Sequence, residues 1–324
     1  MRVKMEDPQG KMKPGDLVNG VVAGVWGREA QGGRFAVKEV FFSGLKREEE
    51  GENSSKKEPI SLCLISGLQL GGEGGECLSA AQLAVDWLAG SAAVPEEQGG
   101  VAQVGRLVIA GDSLSDLTRE KGEQNKALYL TVGNAAGSIA AVRQLDDLLV
   151  QAALTMAVDL MPGPQDPATC VLPQQPLHRL MFPQTGRLPT FQSVTNPYAF
   201  TMAGRKIIVT SGQAVADILR NSELAGPLEA LERCLTWGHL APTTPDTLGL
   251  FPYSDKDPHV LASLPDVLVA GNQEEFLSKQ VQIFKECSMD GKTPVCFLSE
   301  SKSHQVNVNG HEVLLVSVPR LSSS

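Results

Sequence analysis

Apolar residues in this chain come in short runs of two kinds, parted by polar stretches rich in Gly and Pro. The first kind is short and mostly apolar: the continuous ISLCLIS (60–66), RLVIAG (106–111), a stretch near 156–161, KIIVTS (206–211), DVLVAG (266–271) and HEVLLVSV (311–318). Runs of this length, bounded by turn residues, predict buried strands. The second kind is periodic. Ile139, Val142, Leu145, Leu149 and Ala153 recur at spacings of three and four, which predicts an amphipathic helix over 134–153. A helix over 78–89 would turn Leu78, Leu83 and Leu88 to the core, and another lies near 226–237. Strands interleaved with helices predict an α/β fold.

Three segments stand outside this alternation. Residues 17–26 (LVNGVVAGVW) and 34–42 (RFAVKEVFF) predict two strands joined as a hairpin by GREAQGG. Such a pair is marginal alone and must pack on something. Residues 46–58 (KREEEGENSSKKE) predict a solvated linker. Residues 279–310 predict a polar surface excursion.

The strands run out into small or polar clusters: SGLQLGG, GDSLSD, MPGPQDP, TSGQ and AGNQE. In α/β proteins ligand sites gather where strands end along one sheet edge. That repetition is the main functional clue.

Composition narrows the options. The 324 residues suffice for one large domain and a small one. With 42% hydrophobic but only 5% aromatic residues, aliphatic side chains must fill the core. The net charge of −9 weighs against a direct, tight grip on nucleic acid. No run of about 18 apolar residues predicts a membrane span, and the N-terminal MRVKMED lacks the apolar core of a signal peptide. The six cysteines form no C-x-x-C pair and predict reduced, structural thiols. GGEGGE (71–76) lacks the Lys-Ser/Thr of a phosphate loop and carries two acids. His178, His239, His259, His304 and His311 are scattered and predict structural roles.

The strand-end clusters resemble the calcineurin-like metallophosphoesterases. That family uses D-x-H, G-D-x-x-D, G-N-H-[DE], a lone His and G-H-x-H to hold two metals, which generate hydroxide and clamp phosphoryl oxygens. Here Gly67 stands where the first Asp would be and Gln69 where the His would be. Asp112 is retained after Gly111. In Gly163-Pro164-Gln165-Asp166, Pro164 replaces the Asn ligand, Gln165 the His, and Asp166 matches the acidic partner of that His. Ser211 takes the lone His position, and Asn272 and Glu274 the two last His positions. Of the positions aligned to metal ligands, only Asp112 and Glu274 could offer a charged oxygen, and two isolated carboxylates do not make a binuclear site. The resemblance therefore implies a degenerate site with no metal, no other cofactor and no catalytic residue. The plain reading of Asp112 is a turn or helix-cap residue.

Degeneracy of this kind resembles the B subunits of replicative DNA polymerases. Three stretches are similar to the small (second) subunits of DNA polymerase delta: MAVDLMPGPQDPATCVLPQQPLH (156–178), VTNPYAFTMAGRKIIVTSGQAVADILR (194–220) and LAPTTPDTLGLFPY (240–253). The resemblance runs from about residue 17 to Pro319. It implies an α/β calcineurin-like sandwich, two mixed sheets flanked by helices, over 59–324. It further implies a partial oligonucleotide-binding (OB) fold over 1–45, joined by the linker 46–58. The family has sequence before these strands and after the position of Pro319, so the resemblance implies that both ends are missing here. The implied role is a nuclear, non-catalytic scaffold in replication and repair synthesis. It would bind the cysteine-rich C-terminal domain of the catalytic subunit and a third accessory subunit, with DNA touched only indirectly or weakly and no membrane contact. Pro173, Gln174 and Gln175 in one loop, and Pro245 and Asp246 in a turn, are the candidate partner-binding positions. Two other functions stay open: a metal-dependent phosphodiesterase or nuclease, and a single-strand-binding module using Trp26, Phe35, Phe41 and Phe42.

Overall fold

The computed structural model describes residues 3–7, 10, 12–45, 60–72, 76–116, 137–287, 294–300 and 311–321. The predicted linker 46–58 lies outside them. In chain order the strands are β1 (Lys4–Glu6), β2 (Gly24–Ala30), β3 (Arg34–Phe41), β4 (Ser61–Ile65), β5 (Val104–Ala110), β6 (Ala157–Met161), β7 (Phe191–Ser193), β8 (Tyr198–Met202), β9 (Arg205–Thr210), β10 (Val267–Gln273), β11 (Leu277–Cys287), β12 (Pro294–Glu300) and β13 (His311–Pro319). The main helices are α1 (Glu76–Leu88), α2 (Gly137–Ala153), α3 (Gln213–Arg220) and α4 (Pro227–Trp237). The chain is α/β and falls into two compact units. One comprises Met1–Glu50, Ala214–Leu268 and Ser278–Val316; the other Gly51–Gln213, Val269–Leu277 and Ser317–Ser324.

The second unit is built on a four-stranded sheet in the order β4-β5-β6-β7, with every neighbouring pair parallel. This corrects the expectation of two mixed sheets. Each of these strands reaches the next by a crossover rather than a hairpin, which forces parallel pairing. Leu107, Ile109, Val158 and Leu160 meet Ala81, Val85 and Leu88 of α1 and Ala141, Leu145, Leu148 and Leu149 of α2 in one core cluster. Continuous apolar strands are what such a covered parallel sheet requires.

Two predicted core residues are outside. Leu83 is 64% and Ile139 46% exposed. The buried stripe of α1 steps 78, 81, 85, 88, with Leu78 partly buried. A residue five on from Leu78 lies about 140° around the helix. In α2 the stripe begins at Ala141 rather than Ile139.

Strand β8 was not expected. It pairs antiparallel with β9 through Ala203 and Gly204, both at positive φ (50° and 83°), as a two-residue hairpin turn demands. Strands β8, β9 and β10 lie side by side.

In the first unit, β3 lies between β1, parallel to it, and β2, antiparallel. The strand expected over 17–26 begins only at Gly24 and takes in Gly27–Ala30, which were expected to be the connector. Gly20 explains the shift. It sits at φ 85°, and a Cβ there would fall 1.9 Å from the Pro242 carbonyl oxygen. Residues 279–310 are not simply a polar excursion: β11 and β12 form an antiparallel pair from Val281↔Glu300 to Cys287↔Pro294. The alternation of Val281 and Ile283 with Gln280 and Gln282 carried that signal. Among the described residues no helix is long and apolar enough to cross a membrane.

Candidate functional site

Five strand ends of the second unit, those of β4, β5, β6, β9 and β10, run into one another. The loops after β4 and β5 are joined by backbone hydrogen bonds from Gly67 to Gly111, Gln69 to Asp112 and Leu70 to Ser113, each 3.0 Å. Glycines permit the approach. A Cβ on Gly111 would lie 2.9 Å from Gly163 Cα, one on Gly163 2.3 Å from both N and Oδ1 of Asp112, and one on Gly271 2.6 Å from the Ala110 oxygen. Real Cβ atoms do not come so close, so these positions exclude side chains.

Gly67 is constrained from a second direction. It sits at φ 64°, and a Cβ there would lie 2.7 Å from Arg320 Cβ and 3.0 Å from Arg320 Cα. The segment after β13 is held in place by Arg320 N–H to Gln273 O (3.2 Å) and Leu321 N–H to Ser66 O (2.9 Å). Arg320, through its Cα and the first carbons of its side chain, therefore occupies the space that a side chain at 67 would need.

Asp112 is fully buried at φ 53°. Its Oδ1 accepts from Gln165 N–H at 3.0 Å, and its Oδ2 has no protein partner. Burial raises its pKa, against the pull of the Gln165 N–H and the Arg320 charge. Asp166 is the better-satisfied carboxylate. It accepts from Leu114 N–H (2.9 Å) and Gly163 N–H (2.8 Å), stapling the loops after β5 and β6. Burial nevertheless pushes it up to about 7; those N–H groups oppose the rise and the Asp112 charge adds to it.

Ser211, which the resemblance aligns with the lone His, takes part in an amide network. Its N–H donates to Asn196 Oδ1 (3.2 Å), and Asn196 Nδ2 donates to Ser211 Oγ (2.6 Å) and Gln174 Oε1 (2.8 Å). Gln174 Nε2 donates to the carbonyls of Gly163 (3.0 Å) and Thr169 (2.9 Å). Gln174, a candidate for partner contact, is thus buried and committed inside the unit, while Pro173 is half-buried and Gln175 exposed. In the first unit Pro245 and Asp246 are exposed, and Asp246 accepts from Asn19 Nδ2 at 2.8 Å.

Asn272 sits at φ 56°. It takes Ser66 Oγ with its N–H (2.9 Å) and donates from Nδ2 to the carbonyls of Ser211 (3.0 Å) and Ala110 (3.2 Å). Its Oδ1, Gln165 Oε1 and Ser113 Oγ are buried without a protein partner. Gln69 is half-buried; Pro164 and Glu274 are exposed. Among the described residues no three His, Cys, Asp or Glu side chains converge so as to hold a metal. The donor set does not fit a two-metal centre: two buried carboxylates, Asp112 and Asp166, stand among amides, a hydroxyl and backbone, and both Asp166 oxygens already accept backbone N–H groups.

The structure thus brings together Gly67, Asp112, Gln165, Asp166, Ser211 and Asn272. Sequence reasoning missed Ser66, Asn196 and Arg320. Asn196 had only its place before Pro197 to mark it, and Arg320 had no local signal.

Residues 62–278 match the family model of the DNA polymerase alpha/epsilon B subunits. The chain belongs to this B-subunit family. It is 40% identical over 309 residues to DNA polymerase delta subunit 2 of Drosophila melanogaster, covering 93% of this chain and 67% of that protein. It is 36% identical over 285 residues to the DNA polymerase delta small subunit of Arabidopsis thaliana, covering 86% and 63%. To the DNA polymerase delta small subunit of Oryza sativa subsp. japonica it is 35% identical over 273 residues, covering 84% and 62%. This member of the B-subunit family therefore spans 62–67% of the length of these relatives.

Proposed function

We propose that the chain acts as a non-catalytic accessory subunit of a DNA polymerase delta complex, in nuclear replication and repair synthesis. It bridges the cysteine-rich C-terminal domain of the catalytic subunit and a third accessory subunit. The observation that carries the assignment is the 40% identity, over 93% of this chain, to a protein named DNA polymerase delta subunit 2. The filled strand ends support the non-catalytic half of the reading. Arg320 packs where a ligand at 67 would stand, and among the described residues no three His, Cys, Asp or Glu side chains converge on Asp112.

In this reading residues 59–324 form an inactive calcineurin-like phosphoesterase domain, with Gly67, Gln69, Asp112, Pro164, Gln165, Asp166, Ser211, Asn272 and Glu274 as vestiges of its site. Residues 1–45 are part of an OB fold. The work is done by buried surface rather than bond-making, and permanent interfaces of this type bury on the order of 2,000 Å² or more.

The test is co-expression with the cysteine-rich C-terminal domain of a DNA polymerase delta catalytic subunit. A 1:1 complex that survives moderate salt is expected. A folded chain that elutes alone would overturn the reading.

One observation favours a second reading, single-strand binding by β2 and β3: Trp26 is 55% exposed with Lys38 Nζ 4.9 Å from its ring centre. Glu29 and Glu39 share that sheet and oppose it. Salt-sensitive binding of oligo(dT), lost in Trp26→Ala, would establish it.

A further inference from the structure

In a chain that carries 37 acidic residues, the stretch 167–216 has none, while it holds His178, Arg179, Arg187, Arg205 and Lys206. Within it the segment 172–187 of the second unit is fixed from below. Leu172, Gln174, Leu177, Phe182 and Thr185 are buried. Ser193 Oγ donates to Leu177 O (2.8 Å), Gln175 N–H to Thr169 Oγ1 (3.1 Å), and Thr185 N–H to Asp146 Oδ1 (2.9 Å). Two tight turns, Arg179–Met181 and Thr185–Arg187, are tied together by Arg179 Nη2 to Gly186 O at 2.6 Å.

This frame holds an apolar side chain out into solvent. Leu180 is 80% exposed, next to Arg179 and across the tie from Arg187, both also exposed. Asp147, which accepts from Gln184 Nε2 at 2.6 Å, is an acid at the rim. An exposed leucine on a hydrogen-bonded frame, next to Arg179 in the chain and one tied turn away from Arg187, costs little ordering entropy to dock. Its charge sets the sign of what docks there. A nucleic-acid backbone would gain from two arginines and a histidine but would leave Leu180 uncovered. An acidic protein segment with an apolar side chain satisfies both parts of the surface.

We propose that the surface centred on Leu180, with Arg179 and Arg187, docks an acidic segment of another subunit that presents an apolar residue to Leu180. This rests on the reading of the chain as a complex subunit. The experiment uses the complex of this chain with the catalytic and third accessory subunits. Backbone hydrogen exchange at 178–187 is compared with that of the chain alone, and assembly is titrated for wild type, Leu180→Asp and Arg187→Glu. Both substitutions are at exposed positions, and thermal melts check that they remain folded. Expected are slower exchange over 178–187 in the complex and about tenfold weaker assembly for either variant at low salt. For Arg187→Glu the difference should shrink at high salt. A wild-type complex with unchanged exchange at 178–187 and unaffected variants would overturn this proposal and leave the subunit reading standing. Absence of any wild-type complex would overturn the subunit reading, and this docking proposal with it. Protection of 178–187 by oligo(dT) in place of the other subunits would overturn the acidic protein segment as occupant.

Discussion

Two corners of the same strand-end region satisfy their buried polar groups to different degrees. Around Gln174, Asn196 and Ser211, donors and acceptors are matched: Asn196 spans Gln174 and Ser211, and Gln174 reaches two carbonyls. Around Asp112, Gln165 and Asn272, each side chain keeps a buried oxygen with no protein partner. The contrast separates polar groups that stabilise from those that are merely tolerated. A satisfied buried amide is costly to remove, because its partners are then stranded. A half-satisfied buried carboxylate already bears its desolvation cost.

The harshest challenge to this contrast is to put a charge into the filled space. Gly67→Asp forces a Cβ into Arg320 at positive φ and adds a further carboxylate to a region that already buries Asp112 and Asp166. Denaturant unfolding should show a loss of about 3 kcal/mol or more, with no metal bound in return. Stability close to wild type would mean that the Arg320 segment yields easily and the space is not truly filled.

Next in size is Asn196→Ala, which strands Ser211 and Gln174 together. A loss of about 2 kcal/mol is expected. A double-mutant cycle with Gln174→Ala should give a coupling energy well away from zero; simple additivity would show that the network is not one unit.

On the other side, Asp112→Asn keeps the acceptor for Gln165 N–H and removes the charge. It should change stability by less than about 1 kcal/mol. A loss as large as that of Asn196→Ala would erase the contrast.

A different kind of test is a pH slope. The folded pKa of Asp166 is raised from its ordinary value of 3.8 to about 7. Its contribution is therefore fully present below the unfolded value and is lost as pH rises through the folded one. Unfolding free energies between pH 4 and 8 should lose this part of the slope in Asp166→Asn. The slope should soften in Asp112→Asn, because the Asp112 charge helps raise Asp166.

The strands of the four-stranded sheet were legible because Leu62–Ile65, Leu107–Ala110 and, but for Asp159, Ala157–Met161 read as apolar runs bounded by polar clusters; their all-parallel pairing was not. Leu83 and Ile139 misled because an apolar residue near the stripe is not on it. Strand β8 (YAFTM) gave no continuous run, and its hairpin turn uses Ala203, not a residue typical of positive φ. At the strand ends, the positions of Gly67, Asp112, Asp166 and Asn272 were legible because turn residues after buried strands must gather at one edge. The parts that decide the chemistry were not. Arg320 enters from more than 200 residues beyond Ser66 in the chain, as does the bond from Ser66 Oγ to Pro319 O. No local pattern records such an approach.

Whether this chain binds without catalysing is decided by the metal content and phosphodiesterase activity of the purified chain at saturating manganese, beside Asp112→Ala. Substoichiometric metal is expected, with cleavage no faster than the protein-free control for both proteins. Stoichiometric manganese, with cleavage abolished by Asp112→Ala, would show instead that the strand ends still hold a working metal centre.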